Sequence, residues 1–140
     1  MSLVRAEVTD AVLDVAGLTS QAADPRCGAV VSFVGVVRNH DAGASVQELD
    51  YSCHPTAQQV LAGLADELAR AEGVHAVLVS HRTGALVVGD VAMVAVVAAE
   101  HRGQAFQTCA QLVDRVKAEV PIWKREVFTD GTHRWTGLEQ

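Results

Sequence analysis

Nine consecutive apolar residues at positions 91–99, Val-Ala-Met-Val-Ala-Val-Val-Ala-Ala, constrain this chain more than any other feature. Successive side chains of a strand point to opposite faces, so a strand apolar at every position has to be covered on both. A membrane-crossing helix needs about 20 such residues. The run is therefore too short to cross a membrane and falls within a strand over 86–99. Residues 28–37, Gly-Ala-Val-Val-Ser-Phe-Val-Gly-Val-Val, are likewise apolar on both alternations and rich in β-branched residues. They end on the polar Arg38-Asn39-His40-Asp41 and predict a central strand.

Shorter signals fill in the rest. Val4, Ala6 and Val8 alternate with Arg5, Glu7 and Thr9, the pattern of a half-buried strand, and Asp10 suits the cap of a helix over residues 11–16. A loop over 19–26 precedes the second apolar run, and another over 42–44 precedes a strand at 46–52. Pro55 fits a first helical turn, and Ala57, Val60, Leu61, Leu64, Leu68 and Ala71 form one stripe closed by Gly73. Strands follow at 74–82 and 86–99, the latter interrupted by Gly89-Asp90. Phe106, Cys109, Ala110, Val113 and Val116 mark a helix that Pro121 ends, because a residue before proline is pushed out of the helical region. Residues 122–128 and 133–135 flank a turn at 129–132 as a hairpin. This order predicts an α+β fold: two main helices on a largely antiparallel sheet, with a small C-terminal hairpin. The length of 140 residues suits one domain over 1–140.

The 11 basic and 17 acidic side chains argue against a nucleic-acid binder, which needs a basic footprint. The charge is uneven, however. Residues 101–135 hold six Lys or Arg against four acids, and the remainder holds five against thirteen. Residues 1–7 lack the basic start and apolar run of a secretory signal, so the protein is expected in the cytoplasm and off the membrane. Cys27, Cys53 and Cys109 are widely spaced with no metal-ligand pairing, so three reduced thiols and no metal are expected.

Lys117 and Lys124 are the only lysines in the chain, and an ammonium, unlike a guanidinium, can serve as proton donor, base or amine nucleophile. The alternative is a last-turn lysine on the helix dipole and a solvent-facing strand residue. Pro121 turns the chain between them, which favours their meeting at one end of the sheet. His101-Arg102 falls where a helix begins and reads as an anion site, the alternative being that Glu100 pairs with Arg102. Arg38 at a strand end is a further anion-binding candidate, unless Asp41 neutralises it. His54, His75, His81 and His133 lack ligand spacing and read as structural or surface residues, and Cys109 reads as core. Hydrolase elbows, phosphate loops and dinucleotide fingerprints are missing.

Several of these segments resemble one family. Residues 28–40 are similar to the glycine-rich strand and V-R-N/x-H ending of the molybdopterin synthase large subunit family, and Leu49-Asp50-Tyr51 with Pro55 to its next strand and helix start. His81-Arg82-Thr83-Gly84, Val88-Gly89-Asp90 and Glu100-His101-Arg102 with Ala105-Phe106 resemble its following motifs. Residues 117–126, Lys-Ala-Glu-Val-Pro-Ile-Trp-Lys-Arg-Glu, resemble its K-x-x-x-P-I/F-W-K-R/K-E signature.

The resemblance implies an α/β hammerhead fold and a homodimer within a heterotetramer, each protomer binding a ubiquitin-like small subunit. That subunit's C-terminal thiocarboxylate would supply sulfur for converting cyclic pyranopterin monophosphate into molybdopterin, with no resident cofactor. By matched position Lys117 is the expected acid/base or amine residue, and Lys124 is expected to position substrate and stabilise developing negative charge. Arg38, His101, Arg102 and Arg125 are the expected substrate-binding residues, Arg125 and Glu126 also being candidates for an ion pair that holds the strand. The rival expectations are a non-catalytic module for a ubiquitin-like protein or anionic metabolite, and a cysteine-dependent hydrolase.

Overall fold

A computed structural model describes residues 2–41 and 43–137. Strand β1 (Leu3–Thr9) runs parallel to β5 (Val74–Arg82), and β7 (Val91–Ala99) lies antiparallel between β5 and β2 (Ala29–Val36), giving a four-stranded sheet ordered β1-β5-β7-β2. The long apolar run is an interior strand of this sheet, between β5 and β2. Met93, Ala95, Val97 and Ala99 of β7 face one core with Val77 and Val79, whereas Val94, Val96 and Ala98 face another with Ala76 and Leu78.

The first of these cores is roofed by α2 (Ala57–Leu68) and α3 (Arg102–Glu119). The second is covered by α1 (Val15–Gln21) and the residues beside it. In α2 the stripe is Ala57, Leu61, Leu64, Ala65 and Leu68, close to expectation, and Gly73 turns the chain at φ +79° into β5. Helix α3 is rotated from its expected phase. Ala105, Thr108, Cys109, Leu112 and Val116 point inward, while Phe106 is 62% exposed and Ala110 is exposed. The small Ala105 and Thr108 allow the helix to sit close on the sheet.

Two further expectations are corrected. Helix α1 begins at Val15, not after Asp10, because Asp14 accepts the Gly17 N–H at 3.0 Å and caps it there. Its helical turns extend through Thr19 and Gln21, shortening the expected loop. Strand β2 is an edge strand, not a central one. Ala29, Val31 and Phe33 pack on the first core, but Val30, Val34 and Val36 on the other face are 44%, 37% and 52% exposed.

The remaining strands form a second sheet instead of extending the first. β3 (His40–Asp41), β4 (Ala44–Cys53), β8 (Ile122–Phe128) and β9 (His133–Thr136) lie in that order, all antiparallel, with β6 (Gly84–Val87) also on β4. Of the loop expected at 42–44, Ala42 lies outside the described residues and Gly43 turns at φ +83°. The C-terminal hairpin is thus part of this sheet, which closes over its own small core of Val37, Val46, Leu49, Leu86, Ala92 and Phe128. Helix α3 ends against it. Val120 is extended at φ −80°, ψ 124° before Pro121, and the Pro121 carbonyl accepts the His54 N–H at 3.0 Å.

Candidate active site

Where the two sheets and the C-terminal end of α3 meet, a cavity of about 580 Å³ opens. Its walls come from β2 and the residues after it (Phe33 to Arg38), β4, the end of β5, β7, α3 and β8. Apolar side chains, Phe33, Val46, Leu49, Met93, Val116, Val120 and Ile122, line much of it, and Lys117, Lys124 and Arg38 add three cations. This is the scale of a small-molecule site, a cleft whose apolar walls alternate with several placed polar groups.

Local sequence explains each position. Lys117 is exposed in the last turn of α3, where Pro121 soon stops the helix. Lys124 is the third residue of β8 and stands opposite Tyr51 of β4 and Thr136 of β9. The turn enforced by Pro121 therefore brings both lysines to one cavity. Strand alternation then sorts the signature: Lys124 and Glu126 line the cavity, and Arg125 between them does not. Glu126 is 1% exposed and accepts from Arg134 of β9 at 3.0 and 3.2 Å. The ion pair that fixes this strand is thus Glu126 with Arg134; Arg125 has none among the described residues.

His101 and Arg102 lie at the other end of α3. Sixteen residues at about 1.5 Å each separate His101 from Lys117 by roughly 24 Å along the helix. Both are exposed, and Gln104 accepts the His101 N–H at 3.1 Å, fixing the helix start. Glu100 pairs with His75 at 2.8 Å instead of with Arg102. Of the expected binding residues, then, one chain brings Arg38, Lys117 and Lys124 together and leaves His101, Arg102 and Arg125 outside the cavity.

The cavity also contains Tyr51 and His81, neither of them an expected site residue and the histidine read from the sequence as structural or surface. His81, at the end of β5, is buried, and its ring meets that of Tyr51 edge-on, with centroids 5.0 Å apart. Burial pushes the imidazole below its ordinary value; the hydrogen bond to the Arg82 carbonyl opposes this in part, and the nearby Lys117 charge adds a smaller lowering. Burial, with the charge of Glu126, raises the Tyr51 phenol, so both groups are neutral at pH 7. The signals available for His81 were its place in a segment that resembles the family and its position closing a long buried run, where a strand emerges at a sheet end. Cys109 is core, its thiol 3.9 Å from the Ala95 carbonyl and raised by burial, which leaves the cysteine-hydrolase expectation without support. Among the described residues no cluster of His, Cys, Asp or Glu could hold a metal.

Residues 8–119 match the model of the family described as MoaE protein. Over 135 residues the chain is 38% identical to molybdopterin synthase catalytic subunit 1 of Mycobacterium tuberculosis, covering 93% of this chain and 88% of that one. The crystal structure of molybdopterin synthase from Staphylococcus aureus superimposes with a TM-score of 0.85 at 30% identity, covering 94% of this chain and 96% of the other. A chain from the complex of subunits 1 and 2 of molybdopterin-converting factor from Helicobacter pylori shares the fold at a TM-score of 0.70 and 20% identity, covering 98% and 90%.

Proposed function

This chain belongs to the MoaE protein family, and from that premise we propose that it is the sulfur-transferring catalytic subunit of a molybdopterin synthase. The substrate is cyclic pyranopterin monophosphate, and the sulfur donor is the thiocarboxylated C-terminus of a ubiquitin-like small subunit. One observation carries the reading: Lys117, Lys124 and Arg38 surround a single apolar-walled cavity in a chain that is acidic overall. A phosphate-bearing substrate and a thiocarboxylate are both anions, and cations held against low-dielectric walls attract them and stabilise charge that develops between them.

Lys117, at the exposed rim, is placed to meet an entering peptide tail and to act on its carbonyl or sulfur. Lys124, one layer deeper on β8, holds substrate, and Arg38 binds phosphate or thiocarboxylate. His101 and Arg102 reach such a substrate only from a second copy, which agrees with a homodimer inside a heterotetramer. The exposed apolar stripe of Val30, Val34 and Val36 on β2 supports such pairing. A cytoplasmic site of action fits a chain in which no described helix is long and apolar enough to cross a membrane.

The test is reconstitution: purified protein, thiocarboxylated small subunit and cyclic pyranopterin monophosphate are mixed, and molybdopterin is assayed as its fluorescent oxidation product. Product that depends on all three components is expected. Stable binding of the small subunit with no product would favour a docking module without chemistry.

A further inference from the structure

His81 is a polar group of the cavity to which the binding of substrate and thiocarboxylate by Lys117, Lys124 and Arg38 gives no task. Its Nδ1 lies 2.8 Å from the Arg82 carbonyl oxygen. A carbonyl can only accept, so Nδ1 carries the proton and the neutral ring presents Nε2 as a bare acceptor. Nε2 has no hydrogen-bond partner among the described residues, and the side chain lines the cavity. The edge-on Tyr51 ring and the Arg82 carbonyl fix the imidazole plane from two sides. Other histidines lack this arrangement: His75 is tied to Glu100, and His54 and His133 are exposed.

We infer that His81 is the base of this site, its Nε2 taking a proton from the water that releases the small subunit's tail after sulfur transfer. The inference rests on the sulfur-transfer reading. Once the thiocarboxylate sulfur has bonded to a substrate carbon, the tail remains attached through a thioester. Water oxygen adds to the acyl carbon, the carbon–sulfur bond breaks with its electron pair left on sulfur as a thiolate, and one water proton passes to Nε2. The tail departs as a carboxylic acid that ionises in solvent, and the imidazolium returns its proton to water at the cavity mouth. The Lys117 ammonium, on the same cavity, faces the oxyanion formed at the acyl carbon.

The charged and titratable groups around His81 are Lys117 on α3, Tyr51 on β4, Lys124 and Glu126 on β8, Arg38 after β2, and Arg82 on its own strand. Its register partners Val8 on β1 and Met93 on β7 carry no charge. The base works when neutral, so activity is lost as pH falls through the His81 value, which burial holds below that of an ordinary imidazole.

The experiment follows single-turnover molybdopterin formation from pH 5 to 9 in the reconstituted complex, for wild type, His81→Gln and His81→Asn, with small-subunit affinity and thermal unfolding measured on the same samples. Both variants are expected to form molybdopterin about 10²–10⁴-fold more slowly, to lose the acid limb seen in wild type, to bind the small subunit normally, and to accumulate the tail–substrate thioester by mass spectrometry. His81→Ala supplemented with imidazole is expected to regain part of the rate, and this serves should the amide variants fold poorly. A variant within about threefold of wild type that keeps the acid limb, or a slow one with neither thioester nor imidazole rescue, overturns the assignment of His81. A wild-type complex that makes no molybdopterin overturns the sulfur-transfer reading itself, and His81's role with it.

Discussion

Strands β7 and β8 are both interior to their sheets and both flank the same cavity, yet they are composed in opposite ways. From Ala92 to Ala99 every residue of β7 is buried, and none is polar. β8 reads Ile-Trp-Lys-Arg-Glu-Val-Phe, and only Glu126 and Phe128 are fully buried. A strand covered on both faces cannot carry an ammonium, because desolvating an unpaired charge costs far more than one side chain's packing returns. The difference teaches a division of labour. The first sheet supplies the stability, and that leaves the second free to hold charged groups at a half-open edge.

The largest expected effect comes from treating β7 as though it were β8. Val97→Asp places a carboxylate among the side chains of α2 and α3 with no partner, and a loss above about 4 kcal/mol is expected. Such a chain should show no cooperative thermal unfolding; a transition near that of wild type would contradict the assignment of β7 as the dry core. Next comes Glu126→Gln, which removes the charge that holds Arg134 across the β8–β9 hairpin. Because Arg134 is itself partly exposed, the expected cost is about 1–2 kcal/mol in denaturant unfolding. The smallest effect is expected of Arg125→Ala, on the far face of the same strand. Stability should stay within about 0.5 kcal/mol, and product formation within about twofold. A severe activity loss there would bring Arg125 back among the binding residues.

Much of the first sheet was legible because its information is local. The nine-residue run of β7, the alternation of β1 and the stripe of α2 each announce period and burial within one segment. β2 was misread for a physical reason. An apolar run indicates that both faces avoid water, but not whether this chain or another surface covers the second one. The second sheet was hidden because it rests on pairing between distant segments, with Tyr51 opposite Lys124 and Cys53 opposite Ile122. For the site, Pro121 made the convergence of Lys117 and Lys124 readable, since one proline dictates one turn. His101 and Arg102 lie outside this chain's own cavity, because adjacency to a helix start says nothing about which end of that helix forms the cavity. His81 read as structural or surface because a single histidine has no ligand spacing, although it opens a segment that resembles the family.

The most direct measurement is molybdopterin formation by Lys117→Ala beside its thermal unfolding and small-subunit affinity. An exposed last-turn residue contributes little to the core, so unfolding should be unchanged within about 0.5 kcal/mol. Product formation should fall by about 10³-fold or more, equivalent to about 4 kcal/mol of barrier, with the small subunit still bound. Full activity in Lys117→Ala would contradict the account.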